Sequence, residues 1–361
     1  MNYPFDSINF NGRDTRIADI LNGSALPETP FEGAAFSFVR KWYGDHEFFE
    51  QQTSGSTGIP KTILIARKSM AASAKLTQQA LDLKTGATAL LCLDPNYIAG
   101  KMMIVRAFVT GMKLLAVEPS LNPFENHVSH QPIDFTALVP AQLIEILQSD
   151  SQSRLNEIRN IIIGGASLNE QTIERVSQFR AHIFATYGMT ETVSHIALQL
   201  INGPLKSEYF KILPGVKIHT DERGCLQIKT PFLSEEIATN DIVEIKNPTE
   251  FKWLGRADNV INSGGVKIIP EVLEAQIQNV FSTMQIWNRY IVSSVPDPQF
   301  GNKLVLLVEG NMPIAVEKVR SALQEVLPHY HVPKQILVGA IFVMTENGKI
   351  NRLETRKKIG I

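Results

Sequence analysis

The run Thr53-Ser54-Gly55-Ser56-Thr57-Gly58-Ile59-Pro60-Lys61 sets hydroxyl and glycine residues directly ahead of a lysine. Glycines let backbone N–H groups close on phosphate oxygens, hydroxyls add donors and the lysine adds positive charge, so the composition suits a polyphosphate. Gly55 and Lys61-Thr62 fit the Walker pattern, but Pro60 stands where that pattern needs glycine and offers no N–H. A phosphate loop is expected, and the P-loop NTPases are set aside. Glu191, on a turn after an apolar strand, offers the kind of oxygen ligand Mg²⁺ shares with substrate phosphates. Asp241 is a single carboxylate at the end of a β segment. Lys349 follows Glu346-Asn347-Gly348, a turn that would let an ammonium enter a site for one step and leave for the next, unless it is an ordinary surface lysine. Arg106 sits inside Met102-Met103-Ile104-Val105-Arg106-Ala107-Phe108-Val109, with no acidic residue between Asp94 and Glu118. A guanidinium there either snorkels to solvent or meets something negative. His195 either lines a pocket or is a satisfied structural histidine.

These residues need a scaffold. Through the first two hundred residues, β-rich runs at 89–93, 113–117, 135–139, 160–163 and 182–185 alternate with helical patterns at 141–148 and 170–179, which predicts an α/β fold with a parallel sheet. From Phe210 to Phe251 short strands separated by Pro214-Gly215, Asp221 to Gly224 and Asn247-Pro248 read as an antiparallel β unit. Beyond Gly255 the pattern changes again. A helix is expected after Pro270, strands at 289–295 and 304–308, a helix at 316–326, and the basic tail Arg352, Arg356, Lys357, Lys358 reads as a solvated helix end. The organisation expected is a large domain over 1–255, a hinge at 256–258 and a small, mobile α+β domain over 259–361.

Composition excludes several classes. Lys plus Arg number 35 against 36 Asp plus Glu, a net charge of −1, so no field favours nucleic acid or an anionic membrane. Apolar runs fall short of the ~20 residues of a membrane span, and Met1 to Arg16 lacks the basic start and apolar stretch of a secretory signal, so a cytoplasmic protein is expected. Cys92 and Cys225 have no CxxC or ligand spacing, which argues against a disulfide framework or a zinc site.

Taken in order along the chain, the motifs resemble the adenylate-forming superfamily of acyl-CoA ligases, luciferases and peptide-synthetase adenylation domains. Thr53 to Lys61 is similar to its phosphate loop, Ile163-Gly164-Gly165-Ala166-Ser167-Leu168 to its adenine-site turn, and Tyr187-Gly188-Met189-Thr190-Glu191-Thr192 to its YGxTE motif. Asn240-Asp241 stands at its TGD motif. Gly255-Arg256-Ala257-Asp258 with Ser263-Gly264-Gly265-Val266-Lys267-Ile268 resembles its hinge, and Asn347-Gly348-Lys349-Ile350-Asn351-Arg352 its GKIxR motif.

The resemblance implies an enzyme using ATP, Mg²⁺ and CoA to make an acyl-adenylate and then a thioester. It places Thr53, Ser54, Gly55, Ser56, Thr57, Gly58 and Lys61 on the phosphates, and Gly164, Gly165, Ala166, Tyr187 and Gly188 with Asp241 and Arg256 on adenine and ribose. Thr190, Glu191 and Lys349 become catalytic, Glu191 the Mg²⁺ ligand, Asp258 the pivot, and Gly264-Gly265 the face of the CoA tunnel. Arg106, six residues after Gly100, resembles the arginine of o-succinylbenzoate-CoA ligases of menaquinone synthesis, as Thr136 to Leu143 resembles that branch's SLVPTQL segment. It implies an aromatic dicarboxylic acid held by Arg106, with Tyr97 and Gly100 beside it; the sequence does not choose between a monomer and a homodimer. Other acyl- or aryl-CoA ligases, a carrier-loading adenylation domain and an inactive nucleotide-binding module are the alternatives. The phosphate loop comes early, so a shortened N-terminal region is expected. Tyr97 replaces the family's usual histidine and Asn240 the glycine of TGD.

Overall fold

A computed structural model describes residues 6–52, 61–125, 131–345 and 350–361. Two site predictions, Thr53 to Gly58 and Lys349, lie outside the described residues. The chain divides into two compact units, one made of Met1–Ile218, Ile228–Ile237 and Lys246–Glu250, the other of His219–Gln227, Ala238–Ile245 and Phe251–Ile361.

In the first unit the expected strands form as Thr88–Leu91, Lys113–Ala116, Ile133–Leu138, Ile158–Ile163 and His182–Gly188. They pair in parallel, for instance Leu138 opposite Ile163 and Ile163 opposite Ala185. Ile161, Ile162 and Ile163 are all buried although successive side chains face opposite ways, so helices must cover both faces. Ile98–Thr110 and Pro140–Gln148 are two of these helices, and Leu143 and Ile146 pack with Leu90, Leu138 and Ile161. The helix predicted to reach Phe179 stops at Val176, where Ser177 turns back to Glu174. A strand pair at the sheet edge, Ser7–Phe10 and Arg13–Arg16, the antiparallel pair Phe48–Gln52 with Thr62–Ala66, and His195–Leu200 are among the strands not expected from the sequence.

The β region beyond Phe210 contains the strands Lys217–Thr220, Cys225–Lys229, Ile237–Asn247 and Glu250–Arg256, side by side in that order. Asp241, expected at a strand end, lies inside Ile237–Asn247, where a carboxylate is tolerated because Trp253 and Arg256 reach it. In the second unit Tyr290–Asp297 pairs antiparallel with Gly301–Glu309, which runs parallel to Gln335–Ala340. The helices Pro270–Thr283 and Val316–Val326 bury Leu273, Ile277 and Phe281, and Val319 and Leu323, against that sheet. Pro270 opens its helix at the position where a missing N–H costs nothing. Among the described residues no helix is long and apolar enough to cross a membrane.

Candidate active site

Several candidates sit where the parallel strands of the first unit end, the edge at which open α/β sheets take ligands. Gly164 to Ala166 follow Ile158–Ile163, and Tyr187 to Glu191 close His182–Gly188. Gly165 adopts φ 97°, which only glycine holds without strain. The Tyr187 ring packs edge-on to Phe210 with centroids 5.9 Å apart.

The turn after Gly188 is tied by Thr192, which is fully buried. Its Oγ1 accepts from Met189 N–H at 2.9 Å and lies 2.9 Å and 2.8 Å from the Met189 and Ser194 carbonyls, between which its single proton is shared. Val193 follows at φ 68°, a left-handed conformation that costs a β-branched residue about 1–3 kcal/mol. Strain of this size is retained where the surroundings fix the backbone, and here it reverses the chain so that His195 pairs back onto Gly188. A Cβ on Gly188 would stand 2.5 Å from His195 Cα and from Ser194 O, both backbone atoms unable to move aside. Gly188→Ala should therefore cost roughly 1–3 kcal/mol, read calorimetrically as several degrees of Tm.

Glu191 projects into solvent beside a cavity of about 290 Å³ lined by Ile63, Ala66, Lys68, Ser69, Thr190 and Phe232. The cavity lies beside Thr62–Ala66, the strand that follows the predicted phosphate loop in sequence. Gln52 and Thr62, the residues bounding that loop and Lys61, stand opposite each other. Among the described residues no three His, Cys, Asp or Glu side chains gather into a metal cage. A single carboxylate and a hydroxyl, Glu191 and Thr190, are the donor set that suits Mg²⁺ carried on substrate phosphates.

Arg106 does not snorkel. It is 2% exposed, in the middle of Ile98–Thr110. Its Nη2 donates to Ser194 Oγ at 2.6 Å and stands 3.4 Å from His195 Nδ1, and its Nη1 stands 3.8 Å from Met103 Sδ. Its Nε is buried with no hydrogen-bond partner among the described residues. Burial draws its pKa down to about 9, and no carboxylate among the described residues opposes that. His195 is held well below the ordinary histidine value by burial first and by the Arg106 charge second. Gly100 lies on the same helix, where a Cβ would strike Asp94 O at 2.3 Å. Tyr97 stands at the N-cap position of the helix without a side-chain capping bond; it is 66% exposed and about 13 Å along the axis from Arg106. The structure thus gathers Arg106, Ser194 and His195, and leaves Tyr97 outside that cluster. Sequence reasoning missed Thr77, whose Oγ1 is 3.1 Å from His195 Nε2. The one available signal was a polar residue in the buried stripe Met70, Ala74, Thr77, Leu81.

The second unit holds the remaining candidates. Asp241 accepts from Trp253 Nε1 at 3.2 Å and lies 3.6 Å from Arg256 Nη1, while Arg256 Nη2 pairs with Asp258 at 2.8 Å. Asn240, in place of the family's glycine, donates to both Asp258 oxygens at 3.2 and 3.4 Å. Gly264 and Gly265, at φ 58° and 83°, make the two-residue turn between Ile261–Ser263 and Val266–Ile268, a geometry requiring positive φ at both. Arg352 departs from the solvated tail expected of it. Both its terminal nitrogens reach Glu274, at 2.9 and 2.6 Å, and Nη1 also donates to Val292 O.

Known proteins resemble this chain. The profile of the AMP-binding enzyme family covers residues 39–227. An acyl-CoA synthetase (AMP-forming)/AMP-acid ligase II-like protein of Dyadobacter fermentans is 39% identical, with a TM-score of 0.64 over 94% of this chain and 97% of that one. A 2-succinylbenzoate–CoA ligase of Lactococcus lactis is 26% identical over 84% of this chain and 69% of its own length. O-succinylbenzoate coenzyme A synthetase of Bacillus subtilis, solved with ATP and magnesium ion, shares the fold at a TM-score of 0.70 and 20% identity, over 85% of this chain and 69% of that one. This chain belongs to the AMP-binding enzyme family and is an AMP-forming CoA ligase.

Proposed function

We propose that this ligase activates an aromatic dicarboxylic acid, o-succinylbenzoate foremost, using ATP and Mg²⁺ and passing the acyl group to CoA. The carrying observation is Arg106, a buried guanidinium whose described partners are all neutral. Such a charge is costly until an anion meets it, and an acid with a second carboxylate brings one while its other carboxylate reacts. The relatives named for 2-succinylbenzoate support the choice.

In this reading residues 1–255 bind ATP and acid, 256–258 form a hinge at Asp258, and 259–361 bring in first Lys349 and then the Gly264-Gly265 face that CoA passes. Thr53 to Gly58 and Lys61 hold the phosphates. Glu191, with Thr190 beside it, would ligate Mg²⁺, which when bound neutralises charge growing on the phosphates. Gly164 to Ala166 and Tyr187-Gly188 flank the adenine, and Asp241, steadied by Trp253 and Arg256, accepts from the ribose hydroxyls.

Isotope exchange between pyrophosphate and ATP, with o-succinylbenzoate, benzoate and a fatty acid compared, tests this. Exchange should be strongest with the dicarboxylate, and Arg106→Gln should raise its KM roughly 10- to 150-fold, the worth of one hydrogen bond to a charged group. Equal exchange with benzoate, or an unchanged KM, would refute the assignment.

A further inference from the structure

The hydrogen bonds around Arg106 have only one consistent direction. A guanidinium donates and never accepts, so His195 Nδ1, 3.4 Å from Arg106 Nη2, carries a lone pair and no proton. The neutral ring then holds its hydrogen on Nε2, which donates to Thr77 Oγ1 at 3.1 Å, and the Thr77 hydroxyl in turn donates to the Ser73 carbonyl at 3.3 Å. We propose that His195 is a positioning residue: as the neutral Nε2–H tautomer it holds the Arg106 guanidinium in place without cancelling its charge, leaving that charge for an anionic group of the acid.

Two helices and one strand converge on this ring. Arg67–Leu81 supplies Thr77 and Ser73, Ile98–Thr110 supplies Arg106, and the turn before His195–Leu200 supplies Ser194. Arg106 is the one charged group among the described residues that acts on the ring. A second proton on the imidazole would set two cations 3.4 Å apart in a buried site, which low dielectric makes prohibitive. A carboxylate at position 195 would fail for the opposite reason, since an internal ion pair would satisfy Arg106 and remove the attraction for the ligand. A neutral acceptor with a donor on its far side meets both demands. The backbone is fitted to this placement by the left-handed Val193 and the Cβ-free Gly188 against which His195 packs.

The inference rests on the reading of Arg106 as the contact for the acid's second carboxylate, and the tests separate the two. In protein labelled with ¹⁵N-histidine, the His195 Nδ1 resonance should be that of an unprotonated ring nitrogen and Nε2 that of a protonated one, unchanged between pH 5.5 and 8. Imidazolium shifts in that range would overturn the proposal, and this measurement needs no variant to fold. Asn places its amide oxygen near the Nδ1 position, whereas Gln reaches the Nε2 position and abandons Arg106. His195→Gln should raise KM for the dicarboxylate about tenfold, with the change in KM rather than kcat, and His195→Asn should recover most of that loss. His195→Asp should lose the dicarboxylate preference. Should Arg106→Gln raise KM while His195→Gln does not, the positioning role alone is overturned. Should neither variant raise it, both readings are refuted.

Discussion

Lys349→Ala should slow acyl-adenylate formation by about 10²- to 10³-fold, the loss typical of one pre-placed charge or donor at a developing anion. It should leave thioester formation from supplied acyl-adenylate within a few-fold of the parent. The argument is electrostatic. When a carboxylate attacks the α-phosphorus, charge builds on the non-bridging and leaving oxygens, and an ammonium fixed beside them stabilises the transition state more than the ground state. The second half-reaction moves charge at the thioester carbonyl, where the proposed reading gives the same lysine no counterpart role. Pyrophosphate exchange measures the first half, and single-turnover mixing of CoA with synthetic acyl-adenylate measures the second. Equal losses in both would show that Lys349 acts on the structure rather than on one step.

What was legible in the sequence follows from how local each signal is. Ile161, Ile162 and Ile163 announce a strand buried on both faces because the pattern lies in consecutive residues. Tyr187 to Glu191 is contiguous for the same reason, and Arg106 is conspicuous because its neighbours are apolar. The partners were not legible. His195 meets Thr77 across 118 residues, and Arg106 meets Ser194 across 88. Both contacts depend on the Val193 turn, whose positive φ no residue type at that position would suggest. The edge pair Ser7–Phe10 and Arg13–Arg16 escaped notice because it is short and carries the charged residues typical of a sheet border.

Arg352 was misread for the same reason of distance, since Glu274 lies 78 residues away, and the pair supplies the largest stability prediction. Arg352 and Glu274 side chains are 23% and 17% exposed, and Glu274 also accepts from Val292 N–H at 2.6 Å. Burial pushes the Glu274 carboxyl up from its ordinary value even with Arg352 present. Removing the guanidinium leaves that carboxylate uncompensated, so Arg352→Ala should cost about 2–4 kcal/mol, below the fully buried case because both groups keep some solvent. The sign of the pH effect follows. In the variant the folded carboxyl holds its proton to higher pH than the unfolded one, so the deficit is smallest below about pH 4.3, the unfolded glutamate value, and grows as pH rises through it. Melting measured at pH 4 and pH 8 should therefore separate variant from parent more at pH 8. Glu274→Gln combined with Arg352→Gln should recover much of the loss, since two neutral amides leave no orphaned charge. A deficit independent of pH, or a double variant as unstable as Arg352→Ala, would mean that lost packing rather than the ion pair sets the cost. On the proposed role of Lys349 the pair would also bear on catalysis, because residues 350–352, which follow that lysine, are held in place. Ile350 bridges to Met344, Asn351 N–H donates to Val343 O at 2.8 Å, and Arg352 locks the next residue to Pro270–Thr283. Arg352→Ala should accordingly slow adenylation more than thioester formation even at temperatures where it remains folded.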